Sequence, residues 1–189
     1  MLARLGSGLA LAAVAALALV GCSPPEPVAT TPAAEPTVEP SASSTAEEQL
    51  LADATEVAEE FVTYVDEGFA TGTLPAEQIS DTATPELIEQ LEAEIEAFAS
   101  QGLRTTGASR IDTPSLVNAS PPLNDGDTFL LLTCFDTSAV TTFDADDQPV
   151  SGGVERQPRM FEFEFAGGAL RVTHSAPPED DAELAGCGS

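Results

Sequence analysis

Residues 160–174, "MFEFEFAGGALRVTH", decide the fold because they predict a complete β-hairpin. In the first half, three phenylalanines alternate strictly with two glutamates, which is the two-residue period of a strand with one buried face. Gly167 and Gly168 then supply the kind of two-residue turn that favours hairpins, and residues 169–174 form the second strand. The phenylalanines of the buried face are Phe161, Phe163 and Phe165.

Further strands are predicted upstream of this hairpin. "FLLLTCF" (129–135) is a continuous apolar run of strand length, which indicates cover on both faces. "AVTTF" (139–143) is a short strand that turns through "DADDQP" (144–149), and residues 103–118 carry weaker patterning for one or two more strands. We therefore expect an antiparallel sheet of about four strands.

Two amphipathic helices precede the strands. In the first, Thr45 and Glu48 have the spacing of a capping box, apolar residues recur at three- and four-residue steps, and Gly72 ends the helix. The second helix opens at Thr84-Pro85 and stops at Gly102, with glutamates opposite its apolar face. The apolar positions are Leu50, Ala54, Val57, Ala58, Phe61, Val65 and Phe69 in the first helix, and Leu87, Ile88, Leu91, Ile95 and Phe98 in the second.

Helices followed by antiparallel strands predict an α+β domain over residues 45–189. We expect its two N-terminal helices to pack on one face of a curved, cone-like antiparallel sheet of about four strands. A segment of this length supports one hydrophobic core rather than two.

The first 21 residues have the organisation of a secretory signal peptide. Arg4 precedes an apolar run at residues 9–21 that is shorter than the roughly 20 residues a spanning helix needs. The end of this run, Leu19-Val20-Gly21-Cys22, resembles the bacterial lipobox. That resemblance implies cleavage between Gly21 and Cys22 and attachment of a diacylglycerol, and so of palmitate-like acyl chains, to the Cys22 thiol.

Residues 22–44 join this anchor to the domain. They are rich in Pro, Ser, Thr and Ala and have no periodic apolar face, which predicts a disordered, partly extended linker. Two acyl chains anchor a protein stably where one chain does so only marginally. We therefore expect a lipid-anchored protein on the extracytoplasmic face of the cell membrane.

The charge of the chain excludes two classes of partner. Six arginines and no lysine stand against 32 acidic residues, so that the formal net charge is −26. Nucleic acid and anionic lipid headgroups repel such a surface. We expect no nucleic-acid binding and a membrane contact made through the lipid anchor alone.

The cysteine count predicts one disulfide. Lipidation of Cys22 leaves Cys134 and Cys187 as an even pair in an exported chain, where disulfides persist. Closing a loop of some 50 residues contributes about 4 kcal/mol to stability by the chain-entropy relation. A Cys134–Cys187 bridge would hold the acidic C-terminal tail on the sheet.

An ordered set of short motifs is similar to small actinobacterial lipoproteins with a nuclear-transport-factor-like, or cystatin-like, cone domain. The set spans about residues 47–187 and consists of Cys134-Phe-Asp136-x-Ser138, Asp144-Ala-Asp-Asp-Gln-Pro149, Arg156-x-Pro158, a Phe-rich strand and Cys187. The resemblance implies a cone fold with a pocket between the first helix and the concave sheet. The function of that family is mostly unknown.

Such a pocket has four candidate lining residues in this chain. Tyr64 lies near the edge of the first apolar stripe, and His174 shares a strand face with Leu170 and Val172, so it could point toward a pocket mouth. Phe161 and Phe163 complete the set of candidates. Cone-fold enzymes such as cyclases and ketosteroid-type isomerases place acid and base groups in such a pocket, which makes an enzyme using Tyr64 and His174 the alternative to a binding protein.

Other chemistry has little support. A single histidine and no Gly-x-Ser-x-Gly motif argue against nucleophilic hydrolysis, and two structural cysteines argue against a zinc site. Asp144, Asp146, Gln148 and Glu155 have calcium-loop spacing, but Pro149 occupies the position that requires glycine, so a hairpin turn explains them better. We predict no catalytic residue, no metal and no cofactor. The preferred interpretation is a non-enzymatic domain that binds a small apolar ligand or an envelope protein.

Overall fold

The computed structural model describes residues 42–178 and Cys187. The predicted signal peptide, the lipidation site Cys22 and the linker through residue 41 lie outside the described residues. The described chain is an α+β domain in which helices pack against antiparallel sheets, as the order of its sequence patterns predicts.

Three helices lead the domain: α1 (Ala42–Thr71), α2 (Ala76–Ile79) and α3 (Pro85–Ser100). Helix α1 begins three residues before the predicted domain boundary at residue 45 and ends where expected, because Gly72 has φ 78° and its N–H donates to the Gly68 carbonyl at 2.8 Å. The single-turn helix α2 was not predicted from the sequence. None of the described helices combines the length and apolar composition that crossing a bilayer requires.

The strands form two sheets. The main sheet has the order β2-β3-β6-β7 and the smaller one the order β1-β4-β5. Their bounds are β1 Arg104–Thr106, β2 Arg110–Val117, β3 Thr128–Asp136, β4 Thr141–Phe143, β5 Pro149–Gly152, β6 Gln157–Ala166 and β7 Ala169–Ala176. The predicted antiparallel α+β arrangement is confirmed, but the strands of the described residues number seven and form two sheets, and the strand predicted at residues 139–143 belongs to the smaller sheet as β4.

The β6–β7 hairpin has the predicted turn. Ala166 pairs with Ala169, and the two residues between them, Gly167 and Gly168, have φ values of 62° and 82°. Two consecutive positive φ angles are the geometry of a type I′ turn, which only glycine and a few polar residues adopt readily. The "DADDQP" segment is likewise a turn, with Asp144 Oδ1 accepting hydrogen bonds from the N–H groups of Asp146 at 2.9 Å and Gln148 at 2.8 Å.

The core lies between helix α1 and the inner face of the main sheet. Phe129 and Phe163 are cross-strand partners whose rings stack at 5.2 Å, and Phe161 meets Phe61 of α1 edge-on at 6.2 Å. These aromatic contacts join the sheet to the helix. Other buried residues of this core are Leu50, Ala54, Ala58, Leu87, Leu91, Ile95, Leu131 and Val172.

The predicted disulfide is present. Cys134 on β3 is bonded to Cys187, with Cα atoms 5.3 Å apart, and both residues are buried. Cys134 is one residue out of phase with the inner-face positions Thr133 and Phe135, so the bridge lies on the outer face of the sheet. The apolar run on β3 is thereby covered on both sides at Cys134.

Removing this bridge should destabilise the domain. With a sequence separation of 53 between the cysteines, we expect the double variant Cys134→Ser, Cys187→Ser to lose about 4 kcal/mol of unfolding free energy. Guanidinium unfolding of the oxidised wild type and the double variant gives the difference. Wild-type protein under a reducing agent is the control and should fall to the stability of the double variant. An unchanged unfolding midpoint in the double variant would contradict the prediction.

Candidate functional site

A cavity of about 420 Å³ lies between helices α1 and α3 and both sheets. Its volume is within the range of pockets that bind small molecules. Much of its wall is aromatic, with Phe61 and Phe69 from α1, Phe135 from β3 and Phe161 from β6. The small sheet closes one side through threonines and glycines, so both sheets are needed to build the site.

The structure places the four predicted pocket residues in three different surroundings. Phe161 and His174 line the cavity. Tyr64 is half-buried and packs against the core without lining the cavity, while Phe163 is fully buried within the core itself. The cavity therefore does not bring Tyr64 and His174 together.

His174 does not share a face with Val172, which corrects the prediction from a regular strand. Phe163 pairs with Val172 whereas Glu162 pairs with His174, so Thr173 is an extra residue in β7. Such a β-bulge moves the residues beyond it to the opposite face of the sheet. His174 is consequently an exposed residue at the rim of the cavity.

Asp66 is a carboxylate in the cavity wall that the sequence patterns do not single out. It lies on α1, half-buried, and accepts hydrogen bonds from the Ser109 N–H and, at 2.9 Å, the Ser109 hydroxyl. Burial raises the pKa of Asp66, and the two hydrogen bonds from Ser109 oppose that rise. The sequence could have identified Asp66 by its spacing. It lies four residues after Val62 and three before Phe69, which puts it on the apolar stripe of the helix.

Arg159 is the cation of the cavity. It stands two residues before Phe161 on β6, so both side chains belong to the inner face of the sheet. Its guanidinium carbon lies 4.9 Å from the centre of the Phe135 ring, and its Nη1 donates to the Ser175 hydroxyl at 3.3 Å. Burial lowers the pKa of Arg159, and the nearby negative charge of Glu94 opposes that effect.

Asp136 is one carboxylate that could have completed an acid–base set with Tyr64 and His174. It accepts a hydrogen bond from the Ser138 N–H at 2.8 Å, and this bond lowers the pKa of Asp136. Asp136 is not among the residues that line the cavity. Nor do the residues that the structure describes contain three His, Cys, Asp or Glu side chains grouped to hold a metal ion.

Comparison with known proteins finds distant structural similarities alone. No protein-family model and no curated protein matches the chain. Among solved structures, the intermembrane space region of the chloroplast protein ARC6 is similar, with a TM-score of 0.48 and 9% identity over 67% of this chain and 94% of that one. Aln2 from a Streptomyces species has a TM-score of 0.40 and 17% identity over 68% and 88% of the two chains.

The burial of Asp66 should be visible as a pH dependence of stability. The folded protein holds the Asp66 proton more tightly than the unfolded chain does, so this group favours folding most at low pH. That contribution is lost as the pH rises through the raised pKa. Asp66→Asn lacks the titrating proton, so its unfolding free energy relative to wild type should increase from about pH 4 to about pH 7.

Urea unfolding across that pH range measures this difference. Asp53→Asn removes an exposed carboxylate from the same helix and is the matched control for the loss of one negative charge. A difference between Asp66→Asn and wild type that stays flat with pH, or that runs parallel to the Asp53→Asn control, would show that burial does not raise the pKa of Asp66.

Proposed function

We propose that this protein is a lipid-anchored extracytoplasmic lipoprotein whose α+β domain binds a small, largely apolar ligand without transforming it. The observation that carries the binding function is the cavity between α1, α3 and the two sheets, with its four phenylalanine rings. Apolar walls with a few placed polar groups are typical of small-molecule sites. Asp66, Glu94, Arg159 and Ser175 are among the polar groups of this wall.

Sequence features support the anchor and the compartment. Leu19-Val20-Gly21-Cys22 has the lipobox pattern, and residues 22–44 have the composition of a spacer. A buried disulfide suits an oxidising compartment outside the cytoplasm. The order of motifs that resembles actinobacterial cone-domain lipoproteins is consistent with the same placement, and an envelope protein is the alternative partner.

An isomerase- or cyclase-like enzyme is the second candidate. The enzyme predicted from the sequence would use Tyr64 and His174. Because Tyr64 does not line the cavity, the geometry disfavours that pair. Asp66 is the observation that favours an acid–base role, since burial raises its pKa within the cavity. However, both Asp66 oxygens already accept hydrogen bonds from Ser109, which holds the carboxylate as a structural acceptor. Binding without catalysis is therefore the better supported function.

Binding of an apolar molecule is testable with the neutral dye Nile red. We expect wild-type protein to bind the dye with a rise in fluorescence, because the cavity offers the dye an apolar environment. Val65→Trp adds a large side chain to the cavity wall and should weaken dye binding about tenfold or more, which corresponds to about 1.4 kcal/mol.

Glu67→Trp is the matched control, since it adds the same side chain to an exposed position of α1 that does not line the cavity. Thermal melting of both variants reports whether each is folded. Equal dye affinity in wild type and a folded Val65→Trp variant would exclude the cavity as the binding site.

The anchor is testable separately. Cys22→Ser removes the thiol that would carry the diacylglycerol, so we expect this variant to leave the membrane fraction for the soluble fraction. Ser23→Ala changes the next residue without removing the thiol and should stay with membranes. Immunoblots of fractionated cells measure the distribution, and membrane retention of Cys22→Ser would refute lipid anchoring.

A further inference from the structure

Arg159 places a positive charge in the cavity wall, and no carboxylate of the described residues forms an ion pair with it. Its guanidinium contacts the Phe135 ring and one hydroxyl, that of Ser175. A guanidinium has five N–H donors, and the Arg159 Nε is buried without a hydrogen-bond partner in the described part of the chain. A half-buried guanidinium with an unused N–H donor and no paired carboxylate lacks interactions that would offset the cost of its burial.

Two other arginines of the described chain form ion pairs with carboxylates. Arg104 bonds Asp147 at 2.7 Å, and Arg156 lies 3.6 Å from Asp112. Acidic residues outnumber basic ones 32 to 6, yet no carboxylate of the described residues forms an ion pair with Arg159. Arg159 is therefore the arginine of the cavity that remains available to a bound anion.

Two carboxylates, Asp66 and Glu94, line the same cavity, and neither forms an ion pair with Arg159. Asp66 accepts both of its hydrogen bonds from Ser109. Glu94 is exposed on α3, where water solvates its charge, and it acts on Arg159 only as a nearby charge. Because neither carboxylate is bonded to the guanidinium of Arg159, the guanidinium can still bind an acidic group from outside the protein.

The surroundings of Arg159 define the shape of its partner. A planar guanidinium fork matches a carboxylate, which it can bind with two parallel hydrogen bonds. Phe135 and Phe161 lie beside the fork, and Phe61 continues the apolar wall toward α1. A molecule that fills the site thus needs an acidic end next to an apolar body.

We propose that the ligand is an amphipathic carboxylic acid whose carboxylate pairs with Arg159 and whose apolar body lies among the phenylalanine rings. This inference rests on the proposed binding function and adds the chemical class of the ligand. It assigns Arg159 as the residue that selects acids over neutral molecules of the same shape.

Decanoate and decanol test the assignment because they share an alkyl chain and differ in charge. Each competes with Nile red for the full-length protein, and the ratio of the decanol Kd to the decanoate Kd measures the preference for the acid. We expect Arg159→Gln to lower this ratio roughly tenfold to hundredfold, as expected for loss of a charge-assisted hydrogen bond.

Arg171→Gln is the matched control. Arg171 is also half-buried with an unpartnered Nε, but it pairs in register with Glu164 and does not line the cavity. Its variant should keep the wild-type ratio. Arg159→Lys retains the charge and should keep part of the preference, which provides a second reading if the glutamine variant fails to fold.

The outcomes separate this inference from the proposed function. Failure of wild type to bind Nile red would overturn both. Dye binding with a ratio unchanged by Arg159→Gln would overturn the role of Arg159 and leave the binding function standing. If the glutamine variant does not fold, a wild-type ratio that Arg159→Lys leaves entirely unchanged would also overturn it, since a point charge replaces only part of a bidentate fork. A ratio that Arg159→Lys lowers or abolishes would support the role of Arg159.

Discussion

The aromatic packing between the main sheet and helix α1 is the contact on which the rest of the structure depends. Phe129 stacks on Phe163 across two strands, and Phe161 meets Phe61 of α1 edge-on. Because side chains alternate across a strand, these contacts also set the register of β3 against β6 and decide which residues face the helices. A shift by one residue would turn every phenylalanine outward and bring Glu162 and Glu164 into the core.

The cavity begins where this packing ends. Along the inner face of β6, the residue after Phe163 and Phe161 is Arg159, and its partner on β3 is Thr133. A charged side chain cannot complete an apolar core at that position without a large desolvation cost. The helices and the small sheet enclose the resulting space, which gives one domain both a tightly packed end and an open, partly charged end. The packed core and the cavity thereby share the same strands.

The charged residues of the chain have different effects on the surface and inside this cavity. On the surface, the large acidic excess keeps polyanions away. Inside, the guanidinium of Arg159 lies over the Phe135 ring, and Glu94 is a nearby negative charge that is not paired with it. An acid that reaches the cavity therefore meets a cation whose compensation the protein itself does not supply. The overall negative charge would slow the approach of such an acid, whereas the local geometry determines whether it stays.

The sequence by itself determined the elements whose signals are local. The phenylalanine alternation, the Gly167-Gly168 turn, the two apolar stripes and the pairing of two cysteines follow from one- to four-residue periods and from simple counting, and the structure has all of them. Lipidation at Cys22 stays a prediction of the same local kind. Only the tertiary structure decided the second sheet, the bulge at Thr173 and the meeting of Asp66, Arg159 and Ser109 around one cavity. These features arise between residues far apart in the chain, where pairing and burial depend on the packing of the whole domain. A local period can put Asp66 or Arg159 on an inward face, but it cannot show that the two line the same cavity.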